Sequence, residues 1–216
     1  MGNTAGKAYG LTLLCPIKAD VGGYSYGDII RDRLEGLMLN HNSPMAKVPN
    51  TYLCRLYVLD DVFYEGYPAK EEHLKSRYLV FCTNFYGSLE TYLQEMWNKI
   101  EKDVRFLWEH CIAFDRVQNA KEFVAYIKKC QVKNTLFFNG STDEPLAEQL
   151  KSLYLKQEFS RFVFNNHGKT AGELQRAFRE FVAITQPDNL AGPSWTPGMI
   201  EESPHHNYEN HLQTAR

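Results

Sequence analysis

A histidine and a cysteine lie side by side at the end of a helical pattern, and their side chains are the best suited to chemistry. His110 and Cys111 follow this pattern and precede an apolar run. A neutral imidazole there could act as an acid or a base, or it could ligate haem iron. His110 is therefore the candidate catalytic residue. The alternative is that His110 stabilises the helix dipole and packs, while Cys111 is a buried structural thiol.

Two arginines, Arg55 and Arg77, stand inside strand-like runs. A guanidinium on a sheet face binds a carboxylate through two parallel hydrogen bonds. That carboxylate could belong to the protein, or it could be the acidic group of a ligand or a haem propionate. Both arginines are ligand-binding candidates, with a structural ion pair as the competing interpretation.

Polar residues crowd the junction where a strand meets a long helix. Asn84, Tyr86 and Ser88 lie there, and such junctions often place polar groups at the edge of a pocket. They are ligand-binding candidates, as is Trp108, two positions before His110. The alternative is turn chemistry, in which Gly87 relaxes the backbone and Ser88 caps the helix.

A second histidine, His167, precedes Gly168-Lys169-Thr170 at a predicted helix start. A phosphate-binding loop would require glycine where Val163 stands. The helix N-terminus with Lys169 could still hold an anion, so His167 is also a ligand-binding candidate; an ordinary capped turn is the alternative. His205, His206 and His211 cluster near the C-terminus, but no predicted element fixes their geometry, and the metal remains unassigned.

Hydrophobic periodicity predicts the elements that must position these residues. Alternating or continuous apolar runs predict strands at 9–18, 51–62, 77–84 and 134–139, a short strand at 111–114, and a strand or turn at 159–164. Helical spacing and capping residues predict helices at about 26–40, 88–108, 119–130, 144–156 and 170–184. In the second strand, the set Tyr52, Cys54, Leu56 and Val58 is the more apolar and is predicted to face the core.

This order of elements predicts an α+β fold. A strand–helix–strand followed by a returning strand, seen twice, suggests two ferredoxin-like halves that share an antiparallel sheet covered by helices on one face. Residues 1–185 are predicted to form a single α+β domain, and residues 186–216 an extended or disordered tail. The other sheet face must then be covered by a partner subunit, the tail or a ligand.

Composition narrows the class of protein. With 24 basic and 26 acidic residues, the net charge of −2 disfavours a nucleic-acid binder that depends on phosphate contacts. No stretch approaches the roughly 20 apolar residues that a membrane helix needs. Five scattered cysteines without a C-x-x-C pair predict reduced thiols and a cytoplasmic location.

Two phrases of the chain resemble a group of poorly characterised bacterial proteins. These are Asn84-Phe85-Tyr86-Gly87-Ser88, at the strand–helix junction, and Trp108-Glu109-His110-Cys111. In that group a strand runs into Asn-Phe-Asp-Gly-Ser and then into a helix bearing tyrosine; here Tyr86 replaces the aspartate. The predicted architecture is also similar to the dimeric α+β barrel superfamily, several members of which hold haem against the sheet. That resemblance implies a homodimer and haem as a cofactor, although the Gly-x-x-Asp-Gly motif of the dye-decolorising peroxidases is absent.

Two functions follow as hypotheses. In the first, the protein binds a hydrophobic small molecule, haem among the options, with redox chemistry; Arg55 or Arg77 would hold its acidic group and His110 would act on it. In the second, a non-enzymatic protein docks another chain through an exposed sheet face and its tail. An enzyme should gather His110, an arginine and a polar strand end around one cavity, whereas a docking protein should show a flat apolar face.

Overall fold

The structure is a computed structural model, and it describes residues 2–199. The predicted histidine cluster at 205–211 and the tail from residue 200 onward lie outside these residues. The elements are β1 (Thr4–Ala5), β2 (Ala8–Pro16), α1 (Tyr26–Glu35), β3 (Thr51–Leu59), β4 (Tyr78–Tyr86), α2 (Leu89–Trp108), α3 (Ala120–Cys130), β5 (Gln131–Val132), α4 (Leu146–Asn166) and α5 (Ala171–Thr185).

The strands form one antiparallel sheet, which confirms an α+β fold. Its order is β1-β2-β4-β3, and β5 pairs with β2 further along that strand. The long strands β2 and β4 pair along their whole length, from Ala8 opposite Tyr86 to Pro16 opposite Tyr78. Strand β3 pairs with β4 and lies at the end of the strand order.

Strict alternation places one face of the sheet in the core. Leu11, Leu13 and Cys15 of β2 are buried in one cluster with Phe81 and Phe85 of β4 and with apolar side chains of α1, α2 and α3. Fully burying such a side chain contributes roughly 1.5–3 kcal/mol. The helices α1–α3 therefore pack on the same face of the sheet.

Strand β3 follows the predicted alternation except at one position. Cys54, Leu56 and Val58 pack against the core, as predicted. Tyr52 was predicted to do the same, and that prediction is wrong. The register slips between Thr51 and Leu53, so this irregularity breaks the alternation, and the Tyr52 hydroxyl donates to the Glu144 carbonyl at 2.6 Å.

An irregular segment, residues 134–145, crosses the second face of the sheet at one end. Phe137 lies over Gly10, where an added Cβ would come within 2.7 Å of the ring. The backbone N–H of Lys7 donates to the Asp143 carboxylate at 2.8 Å. The predicted strand at 134–139 is therefore wrong, because side-chain contacts rather than a strand partner hold this apolar run. We call residues 134–145 the crossing segment.

The apolar run at 159–164 is helical, not a strand or turn. It forms the last turns of α4, where Phe159 and Phe162 face Phe178 and Phe181 of α5 across a helical hairpin.

The predicted strand at 111–114 is instead a short 3₁₀ turn after a single bridge between Ile17 and Cys111. Helix α1 ends at Glu35, with Gly36 as its C-cap, rather than near residue 40. Residues 134–199 thus add helices and no strand to the sheet.

A buried lysine fastens the end of this hairpin. Lys151 of α4 is 2% exposed, and its ammonium donates to the carbonyls of Thr185 and Pro193, both at 2.7 Å. The Trp195 indole N–H donates to the Gln157 side-chain oxygen at 3.0 Å. Residues 186–199 therefore run back along α4 in a turn-rich segment. Within residues 2–199, no helix has both the length and the apolar character needed to cross a bilayer.

We expect Lys151→Met to lower the free energy of unfolding by about 3 kcal/mol. Methionine fills similar space but leaves two buried carbonyls without their charged donor. Urea unfolding followed by circular dichroism measures the change. The matched control is Lys156→Met, at an exposed position on the same helix. Equal losses in the two variants would contradict this role of Lys151.

Candidate functional site

The sheet surface that α1–α3 leave uncovered carries a defined array of side chains, and we call it the open face. Its central row runs Arg55, Cys82, Thr12 and Val132 across β3, β4, β2 and β5. One neighbouring row holds Leu53, Asn84 and Gly10, and the other holds Tyr57, Val80 and Leu14. The crossing segment covers the first of these rows at Gly10.

The β3 side of the open face is exposed and largely apolar. Leu53 is 54% exposed and Tyr57 is 47% exposed, and they flank the exposed Arg55. Among residues 2–199 the Arg55 guanidinium has no hydrogen-bond or ion-pair partner. An unpaired guanidinium between two large apolar side chains can bind a carboxylate that reaches it from outside.

Two of the three predicted junction residues share the open face. Asn84 stands half-buried beside Leu53, and Tyr86 ends β4 with the Lys7 ammonium 5.8 Å from its ring centroid. Ser88 instead caps α2: its hydroxyl accepts the Thr91 N–H at 3.2 Å and donates to the Thr91 hydroxyl at 2.9 Å. Ser88 therefore acts as a helix cap, as the alternative interpretation predicted. Asn84 and Tyr86 remain candidates for contact with a bound molecule.

The second arginine is held by the protein itself. The Arg77 guanidinium donates to Ser25 at 2.6 Å and to Asp20 at 2.8 Å. Asp60 lies 3.8 Å away and also pairs with Arg31 at 2.6 Å. These contacts match the structural ion pair that competed with the ligand-binding role of Arg77. They place Arg77 just before the first residue of β4, beside the start of α1, and not on the open face.

His110 lies on the helix side of the sheet. Its ring stacks on Tyr26 of α1 with the centroids 4.8 Å apart. Its Nε2 is buried without a hydrogen-bond partner in the described part of the chain, and the nearest carboxylate oxygen, from Glu109, is 3.8 Å away. Burial, with the positive charges of Arg33 and Lys18, lowers the pKa of His110. The imidazole is therefore neutral at neutral pH.

A cleft of about 510 Å³ lies near His110. It is lined by Lys18, Arg105, Phe106, Glu109, Phe114 and Asp115. His110 does not line it, and its buried Nε2 does not face an open volume. Haem iron needs an axial ligand that faces the cavity in which the haem lies. The residues around His110, as placed, do not fit haem.

Trp108 and the cysteines other than Cys82 belong to the core or pack against it. The Trp108 side chain is fully buried, donates its indole N–H to the Cys15 sulfur at 3.4 Å and meets Phe81 edge to face. All five cysteines are free. Burial raises the pKa of Cys111 to about 12 and that of Cys54 to about 11, so both thiols stay protonated. No group of metal-ligating side chains occurs among residues 2–199.

His167 lies far along the chain at the tip of the α4–α5 hairpin. It is exposed, caps the end of α4 and lines a groove together with Phe159, Ser160, Val163 and Phe164. The N-terminus of α5 is closed by a capping box between Thr170 and Glu173, and Lys169 donates to Asn166 at 2.6 Å. An ordinary capped turn therefore describes this segment, and its helix N-terminus has acceptors of its own.

The predicted site residues thus separate into distinct places. Arg55, Asn84 and Tyr86 share the open face, whereas His110 and Arg77 flank the start of α1 on the other side of the sheet. The residues that sequence reasoning did not select are Leu53, Tyr57 and Val132, which accompany Arg55. Alternation already put Leu53 and Tyr57 on the same side as Arg55, and that signal could have identified them.

Comparison with known proteins gives no assignment. No protein-family model, no curated protein and no solved structure matches the chain.

We expect His110 to make the protein less stable as the pH falls below about 6.5, the usual pKa of histidine. The unfolded imidazole takes up a proton there, while the folded imidazole, with its lowered pKa, resists it, so protonation favours the unfolded state. Above that pH both states are neutral and His110 adds no pH dependence.

Urea unfolding of the wild type and of His110→Phe over a pH series measures this effect. Phenylalanine keeps an aromatic ring on Tyr26 but does not titrate. The variant should lose part of the decline seen in the wild type, and His41→Phe, at an exposed position, should not. Parallel curves for the wild type and His110→Phe would show that the burial of His110 has no energetic consequence.

Proposed function

We propose that this protein binds a partner protein through the open face of its sheet. The observation that carries the proposal is the exposed trio of Leu53, Arg55 and Tyr57 on β3. Tyrosine and arginine are the residue types most often found at the energetic centre of protein interfaces, where they are surrounded by apolar contacts. Because the Arg55 guanidinium has no partner in the part of the chain that the structure describes, it supports a partner surface that is apolar and presents a carboxylate.

The separation of the site residues also favours docking over catalysis. An enzyme of the predicted kind would gather His110, an arginine and a polar strand end around one cavity. Here Arg55, which has no partner within residues 2–199, is on the open face, and His110 stacks on α1, behind the sheet. A face without a deep cavity suits a protein partner better than a small molecule, which is usually bound in a concave site.

The order of the strands also supports a more specific fold than the general α+β class. The antiparallel order β5-β2-β4-β3, with α1 between β2 and β3, supports a single ferredoxin-like unit. In such a unit the helices cover one face and leave the other open, as the proposed docking requires. Five free cysteines support a reducing, cytoplasmic location.

Site-specific photo-crosslinking tests the docking proposal. A benzophenone side chain is placed at Leu53 or Val132, at opposite sides of the open face, and at Tyr67, which is 96% exposed but lies in the loop after β3. We expect the same adduct at the first two positions in cells that express the chain, and no such adduct at Tyr67.

The adduct partner, once identified by mass spectrometry and purified, permits a direct binding measurement. We expect Arg55→Glu to weaken binding more than tenfold, because it places a carboxylate against the partner's carboxylate. Arg176→Glu, an exposed position on α5, should leave binding unchanged. Equal binding by wild type and Arg55→Glu, or adducts that are as frequent at Tyr67, would refute docking through the open face.

A second candidate function is the binding of a hydrophobic small molecule with an acidic group in the cleft near His110. Its volume of about 510 Å³ suits such a ligand, and Lys18 and Phe106 offer a cation and an apolar ring. The dye anilinonaphthalene sulfonate is a matching probe. We expect a saturable fluorescence increase that Phe106→Asp abolishes and that Phe138→Asp, which changes an exposed ring of the crossing segment, retains. Equal loss in both variants would argue against the cleft.

A further inference from the structure

Strand β3 has a free outer edge. It is nine residues long and lies at the end of the strand order, and β4 is the only strand that pairs with it among the described residues. No other backbone or side-chain group in that part of the chain hydrogen-bonds to the β3 backbone. Such an edge is a template for another strand.

Strand β3 has few of the sequence features that normally keep an edge strand from pairing with another chain. Its sequence, Thr-Tyr-Leu-Cys-Arg-Leu-Tyr-Val-Leu, contains no proline and no lysine, and Arg55 is its one charged residue. The irregularity between Thr51 and Leu53 disturbs only its first residues. The remaining length, Leu53–Leu59, is regular and, apart from Arg55, carries no charge, so it can pair with another strand.

We propose that β3 pairs with β3 of a second copy of this chain, antiparallel, about a two-fold axis at Leu56. This goes beyond the docking function, because its hydrogen bonds come from the backbone edge of the strand, which a partner on the open face does not use. A two-fold axis makes the same edge serve both copies, so the interface closes and yields a dimer rather than a fibre. The two sheets then form one continuous sheet.

Among axes at the three central residues of Leu53–Leu59, which keep the longest pairing within the strand, charge and side-chain matching favour Leu56. An axis at Arg55 would set two guanidinium groups directly opposite each other, which is destabilising. An axis at Tyr57 would set Leu53 opposite Asp61 of the partner subunit. The axis at Leu56 sets Arg55 opposite the partner's Tyr57 and Leu53 opposite the partner's Leu59. Each arginine then meets an aromatic ring, and each exposed leucine meets another leucine.

Sedimentation velocity and a charge exchange test both the dimer and its register. The wild type should be a dimer. Tyr57→Arg sets two like-charged pairs across the axis and should weaken the dimer about tenfold or more. Arg55→Glu sets glutamate opposite tyrosine and should remain dimeric.

Mixing the two variants tests the register directly. In a mixed dimer the introduced glutamate of one chain lies opposite the introduced arginine of the other, and the unchanged Tyr57 lies opposite the unchanged Arg55. One pair is then of opposite charge and the other is the wild-type pair, so a heterodimer should form. Native mass spectrometry detects it, because the two variants differ in mass.

The matched control is Tyr24→Arg, which changes a tyrosine that is 69% exposed and far from β3 along the chain. It should leave the dimer intact, and circular dichroism should show that all variants are folded. A monomeric wild type overturns the proposal. A dimer that Tyr57→Arg leaves unchanged, or that the mixture does not restore, overturns it too, because the copies then meet elsewhere or in another register.

Discussion

The contact between Tyr92 and Phe85 joins the long helix to the sheet, and the rest of the structure depends on it. The two rings stack with centroids 3.8 Å apart, and Tyr9 also stacks on Phe85, with centroids 5.2 Å apart. The Tyr92 hydroxyl bonds to Thr51 and Thr83, both at 3.1 Å, so one side chain of α2 touches β3 and β4 together. Burial raises the pKa of Tyr92 to about 12, so the phenol stays neutral in this position.

This contact fixes which face of the sheet is buried under the helices, and the opposite face is the open face. Helix α2 starts at the Ser88 cap and runs 20 residues to Trp108, which carries His110 past the end of the sheet on the helix side. Alternation then sends Arg55 to the opposite side. His110 and Arg55 therefore lie on opposite sides of the sheet because of strand periodicity. A change of side-chain rotamer cannot bring them together.

Much of this architecture could be predicted from the sequence because its signals are local. The Ser88 cap, the Thr170 capping box and the alternation of Cys54, Leu56 and Val58 are all present as predicted. The errors occur where a contact with a distant residue decides the outcome. Phe137 is part of an apolar run that resembles a strand, but Gly10 gives its ring a place to pack and no strand accepts its backbone. Phe159 and Phe162 stand close together in another apolar run, and only their contacts with α5 show that they form one side of a helix.

The same limit applies to the candidate site. Arg55 and Arg77 occupy equivalent contexts in the sequence, and the difference between them depends on Asp20, 57 residues before Arg77. The Arg77 guanidinium is thus held by Ser25 and Asp20, whereas Arg55 has no partner among residues 2–199. The accessible part of the open face is then restricted, because the crossing segment covers the sheet at Gly10 and Val80 of β4 is only 2% exposed, whereas Leu53, Arg55 and Tyr57 of β3 are exposed. The accessible part of the open face and the free backbone edge therefore belong to the same strand, β3. The proposed partner above the sheet and the proposed second copy beside it would therefore use the same strand: Leu53, Arg55 and Tyr57 lie at both surfaces, and the backbone edge serves the second copy alone.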